Sequence, residues 1–131
     1  MPLGSLSDLR LNTCHPDLQR LIRLVSKGID EGDLAYAGIH DIAVLCGYRN
    51  EVDQNKAVKD GASETPYPKS KHNRIPADAV DVAVHPVEWK AAGYEKKMEV
   101  LHAYVAGVAH ALGIDLYDIS WDRPHIQRNV P

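Results

Sequence analysis

The stretch Ser70-Lys71-His72-Asn73-Arg74-Ile75-Pro76-Ala77-Asp78-Ala79-Val80-Asp81-Val82-Ala83-Val84 decides the fold. Its second half alternates: Val80, Val82 and Val84 fall on one face of a strand, and Ala79, Asp81 and Ala83 on the other. The valine face suits a core. The opposite face is small except for one carboxylate, which suits the floor of a site. The first half closes a loop over 61–76 that holds Gly61, Pro66, Pro68 and Pro76. A long loop inside a compact domain is more often functional than idle.

Working outward, Leu18, Leu21, Ile22 and Val25 recur at helical spacing after Pro16, a favourable first helical position, and Gly28 is expected to end that helix. Asp41 to Cys46 reads as a short buried strand stopped by Gly47. A second helix is expected from Glu51 to Lys59, ending at Gly61. The clearest helix covers 94–112. Met98, Leu101, Val105, Val108, Ala109 and Leu112 form its apolar stripe, and Gly113 follows as a cap. Two short strands, over 114–119 and 125–128, close the chain. This mixture lacks a regular βαβ alternation, so an α+β fold is expected, with a small, largely antiparallel sheet flanked by helices.

The 131 residues suffice for one domain. Apolar residues make up 44% and Phe is absent, so Leu, Val, Ile and Ala must fill the core. The net charge of −3 is scattered along the chain, which argues against nucleic acid or an anionic membrane as partner. No apolar run approaches the roughly 18 residues of a membrane span. Cys14 and Cys46 form no CxxC pair and fit a reducing compartment. The N-terminus lacks the pattern of a signal peptide. Pro2-Leu3-Gly4-Ser5 is similar to the remnant of a tag-cleavage site, so residues 1–5 are set apart and 6–131 taken as one domain. A monomer is expected.

His72, Asp81 and His125 offer two imidazoles and a carboxylate. Such a set leaves one tetrahedral position open, as a catalytic zinc requires. Asp122, three residues before His125, is placed to act as a base. Composition alone does not separate these histidines from structural ones.

The order of residues adds to this. Ser70-Lys71-His72, then Ala79-Val80-Asp81, then Asp122-Arg123-Pro124-His125 resembles the zinc peptidases of the D-alanyl-D-alanine carboxypeptidase type, which include bacteriophage L-alanyl-D-glutamate endopeptidases. Gly47-Tyr48-Arg49 with Gln54 resembles that family's Gly-x-Arg-x-x-x-x-Gln segment. Cys14-His15-Pro16-Asp17-Leu18 is similar to the first helix of phage members. The resemblance spans about residues 11 to 127. Two departures stand out. The His72–Asp81 separation, 81 − 72 = 9, is longer than the usual pattern, with Ala77 in place of its glycine. The segment before Asp122 is also short, which bears on one pocket wall.

The resemblance implies a Hedgehog/D,D-peptidase-like zinc peptidase fold. It implies Zn2+ held by His72, Asp81 and His125, with Asp122 as general base. Arg49 would stabilise the oxyanion or grip a substrate carboxylate, and Gln54 and Ser70 would line the substrate site. The implied activity is that of a phage endolysin, hydrolysing the L-alanyl-D-glutamate bond of the peptidoglycan stem peptide by zinc-activated water. Such a protein waits in the host cytoplasm until lysis and then acts at the periplasmic cell wall. Two alternatives are a D,D-carboxypeptidase or dipeptidase acting on D-Ala-D-Ala, and a non-catalytic zinc-stabilised binding module. Asp122 argues against the module, because a structural site needs no base.

Other residues carry weaker signals. Asp78 is expected to face solvent rather than compete as a ligand. Arg49 alone reads as an ordinary ion pair, a reading that the Gly-x-Arg context reverses. His15 is expected to cap the first helix. His40, His102 and His110 are expected to be structural or exposed, and His85 suits either a turn or a site. Trp89 and Trp121 suit either a core or a carbohydrate platform.

Overall fold

The computed structural model describes residues 3–117 and 122–131. Four helices, α1 (Ser5–Leu11), α2 (Pro16–Asp30), α3 (Glu51–Lys59) and α4 (Tyr94–Leu112), flank three strands, β1 (Ile42–Cys46), β2 (Ala79–Val84) and β3 (His125–Gln127). The strands form one antiparallel sheet in the order β1-β2-β3. This is the expected α+β class.

The register explains the two faces. Ile42 pairs with Val84, Val44 with Val82, and Val80 with Ile126. Directly opposed residues point to the same side of a sheet. All six of these side chains are buried, and each such burial contributes roughly 1.5–3 kcal/mol. Helix α4 lies against β2 and α2. Met98, Leu101, Val105 and Ala109 supply its buried stripe, while Leu18, Leu21, Ile22 and Val25 supply that of α2. The Tyr94 hydroxyl donates to the Val84 carbonyl at 2.7 Å, tying the start of α4 to the sheet.

Helix α1 is an element the sequence did not announce. It covers the outer edge of β1: Ser7 Oγ accepts from the Val44 N–H at 3.0 Å, and Arg10 donates to the Val44 carbonyl at 3.0 Å. An uncovered edge strand would expose those groups for pairing with another chain. Ser5, the last residue of the segment set apart above, is the first residue of α1.

Two glycines act through close approach. Helix α2 runs on past the expected stop at Gly28 to Asp30. Gly28 is instead where Tyr104 of α4 crosses, and a Cβ there would collide with its hydroxyl. A Cβ at Gly47 would strike Thr13 and the Arg10 carbonyl. Of the two closing strands, β3 forms. Leu116 of the other makes an isolated bridge with Arg128, and Asp118 and Ile119 lie outside the described residues.

Candidate metal centre

The sheet assembles most of the site by register. Asp81 on β2 pairs with Cys46 on β1 and His125 on β3, so the three side chains form a row on the face opposite the core. A register shift between Val44 and Cys46 inserts Leu45, and so puts Cys46 rather than Leu45 beside Asp81. Such bulges re-aim side chains next to sites. His72 arrives from outside the sheet, on a 3-10 turn over Lys71–Asn73. Ser70 caps that turn: its hydroxyl accepts from the His72 N–H at 3.2 Å, and Asn73 Oδ1 accepts from the Ser70 N–H at 3.1 Å.

His72 Nε2, Asp81 Oδ1 and His125 Nδ1 converge. The separations are 3.3 Å for His72–Asp81, 3.1 Å for His125–Asp81 and 3.2 Å between the two imidazoles. Ligand atoms at about 2.0–2.1 Å from a tetrahedral zinc stand roughly 3.3 Å apart. The donor set and its spacing therefore fit such an ion.

The outward nitrogens are also fixed. His72 Nδ1–H donates to the Gly47 carbonyl at 2.7 Å. His125 Nε2–H donates to Gln127 Oε1 at 3.0 Å. Each acceptor fixes the tautomer that turns the other nitrogen's lone pair inward. Gln127 was not singled out from the sequence. Its signal was there, two residues after His125 and so on the same strand face, where it pairs with the small Ala79.

The electrostatics agree with a cation-binding centre. Burial disfavours the Asp81 carboxylate, but hydrogen bonds from His125 and His72 outweigh it and hold the group well below the usual range. Burial likewise opposes protonation of His72, yet bonds to Asp81 and Cys46 push its pKa up to about 10. The charges that favour the Asp81 carboxylate are those of the groups facing it, His125 and His72, with the Arg49 guanidinium 3.6 Å away. Cys46, His72 and Asp81 also offer a second grouping, with ligand-type atoms within 4.8 Å of one another. The His72–Asp81–His125 separations are shorter, 3.1–3.3 Å, and match the tetrahedral edge. Cys14 is buried, and burial pushes its thiol up to about 12, which leaves it inert.

Arg49 borders the centre. Its N–H donates to the His72 carbonyl at 2.7 Å and its own carbonyl accepts from Asn73 Nδ2 at 2.9 Å. One guanidinium nitrogen donates to Gln54 Oε1 at 3.0 Å, and another stands 3.6 Å from Asp81 Oδ2. Arg49 is thus both an ion-pair partner and a wall of the cleft. Gln54 corrects the expectation that it lines the substrate site. It is fully buried. Its Nε2 donates to Ser63 Oγ at 3.0 Å and the Thr65 carbonyl at 2.6 Å, while Oε1 also accepts from Asn73 at 3.1 Å. With its amide saturated, Gln54 ties Arg49 to the 63–65 loop.

A cleft of about 760 Å³ opens over the centre. Arg49, Ser70, His72, Asp81, Asp122 and His125 all contribute to its wall. Asp122 is exposed, and its carbonyl accepts from the His125 N–H at 3.0 Å, which fixes the turn between them. Asp78 departs from its expected exposure. It is buried and paired with Arg128 at 2.6 Å and Arg74 at 3.0 Å, because two guanidiniums offset the cost of burying its charge. His15 caps α2 as expected, Nδ1 accepting from the Asp17 N–H at 3.0 Å. His85 is exposed. Trp121 lies outside the described residues.

No protein-family model and no curated protein matches the chain. Among solved structures, the crystal structure of the Serratia marcescens L-Ala D-Glu endopeptidase ChiX is similar, at 28% identity and a TM-score of 0.67. The match covers 98% of this chain and 90% of that one. The small three-stranded α+β architecture described above therefore matches the fold of that L-Ala D-Glu endopeptidase.

Proposed function

We propose that this chain is a zinc-dependent peptidoglycan peptidase that hydrolyses the L-alanyl-D-glutamate bond of the stem peptide. The observation that carries the reading is the convergence of His72 Nε2, Asp81 Oδ1 and His125 Nδ1 within 3.3 Å of one another on the wall of an open cleft. Its likeness to an L-Ala D-Glu endopeptidase over nearly its whole length supports the bond and the substrate. The phage setting, with retention in the host cytoplasm until lysis, belongs to the same proposal and rests on the motif order alone.

His72, Asp81 and His125 would hold the zinc, which supplies a Lewis acid that activates water and polarises the scissile carbonyl. Asp122 takes the proton that the attacking water loses and passes it to the departing D-glutamate amine. Arg49 presents its guanidinium to the oxygen that gains charge. Ser70 holds the turn that carries His72. The decisive test is mass spectrometry of peptidoglycan digested with the zinc-loaded protein. New N-terminal D-glutamate is expected. Released D-alanine or its dimer would instead establish a D,D-peptidase, and no release at all would leave a binding module.

Two variants probe the supports. Gln127→Ala is expected to raise the zinc dissociation constant about 10- to 100-fold, the usual cost of losing the group that orients a metal-binding histidine. Competition with a chromophoric chelator measures this, and an unchanged constant removes Gln127 from the role. Arg49→Lys keeps the charge but loses the fork. Turnover per folded molecule should fall about 10²-fold, as when an oxyanion donor is removed. Stability should drop by only about 1 kcal/mol for the lost bond to Gln54. Single-turnover hydrolysis and a melting curve on one preparation separate the two effects.

A further inference from the structure

A second, smaller pocket of about 140 Å³ adjoins the cleft. Trp89 and Tyr94 form its aromatic side, and Glu95, Asp122 and Arg123 bring charged groups to its rim. Asp122 and Pro124 belong to both spaces, so the pocket begins immediately beside His125. Resting on the peptidase reading above, we propose that this pocket is a carbohydrate subsite. It would receive the sugar ring that carries the stem peptide.

Three observations point there. Trp89 leaves 51% of its surface open. Its ring is nevertheless held edge-on against Tyr94, with centroids 5.4 Å apart, and Tyr94 is itself buried and bonded to Val84. An aromatic platform fixed before binding loses little freedom when a ligand stacks on it. Second, the wall chemistry matches a sugar ring, whose C–H face is apolar and whose rim is hydroxylated. An aromatic floor with Glu95, Asp122 and Arg123 around it meets both.

The third is the reach of the substrate. In peptidoglycan the stem peptide joins the muramic acid sugar through L-alanine, its first residue. When the L-alanyl-D-glutamate bond lies at the metal centre, one residue and the lactyl group of muramic acid separate that bond from the sugar ring. Two such lengths of extended chain span at most about 7 Å. The ring therefore falls close to the centre, and the Trp89 pocket shares two wall residues with the cleft over it.

The test compares two substrates on the zinc-loaded protein: the bare stem peptide, and the same peptide on its muramic-acid disaccharide. Trp89→Ala should lower kcat/KM on the sugar-bearing substrate about tenfold, mostly through KM, matching one lost aromatic contact. The bare peptide should be cut at the wild-type rate, and Trp89→Tyr should recover most of the loss. An equal fall on both substrates would assign Trp89 a structural role and overturn the subsite. So would a sugar-specific loss in Tyr117→Ala but not in Trp89→Ala, since Tyr117 lines a pocket that His125 also borders. If the wild-type protein cuts neither substrate, the peptidase reading fails and the subsite with it. If it cuts both and Trp89→Ala changes neither, only the subsite fails.

Discussion

His125→Ala should remove most of the bound zinc and with it all measurable hydrolysis of the cell wall. Losing a group that merely orients a ligand costs 10- to 100-fold in metal affinity. Losing one of three ligands should therefore exceed about 10²-fold. His125 is the cleaner of the two histidines to change. It is half-buried on a strand face, and its ring touches the other two members of the set and Gln127. His72→Ala should have the same effect on the metal but carries a structural cost. His72 is 2% exposed, and its loss leaves the Gly47 carbonyl without its 2.7 Å partner. Elemental analysis after dialysis, beside a melting curve, separates metal loss from unfolding. Zinc retained in full by both variants would sink the ligand assignment.

The Asp122→Ala variant is expected to behave in the opposite way: zinc stays and turnover goes. A positioned base contributes typically 10²–10⁴-fold, so hydrolysis should fall by about that factor. Asp122 is exposed on the cleft wall, and among the described residues its bond to the fold is the backbone carbonyl that receives the His125 N–H. An alanine keeps that carbonyl. The melting temperature and zinc content should match the parent protein. Near-normal turnover would move the base to another carboxylate, with Asp118, outside the described residues, the next to replace.

The sequence by itself determined the elements whose signals are local. The expected ranges for α3, β2 and α4 agree with the structure, because apolar periodicity and a following glycine or turn residue act within a few positions. It also named His72, Asp81 and His125, whose donor atoms then converge. The tertiary structure alone decided what depends on partners far along the chain. Helix α1 is short and carries no strong stripe, and it is held by bonds to Val44, more than 30 residues away. The burial of Asp78 rests on Arg74 nearby and on Arg128, 50 residues on, which folds back to it. Gln54 became a hub and not a wall because Arg49, Ser63, Thr65 and Asn73 close around it. Gln127 gained a role from the register of β3 on β2. Which atoms meet is fixed by cross-strand register and burial, and neither is written in any one segment.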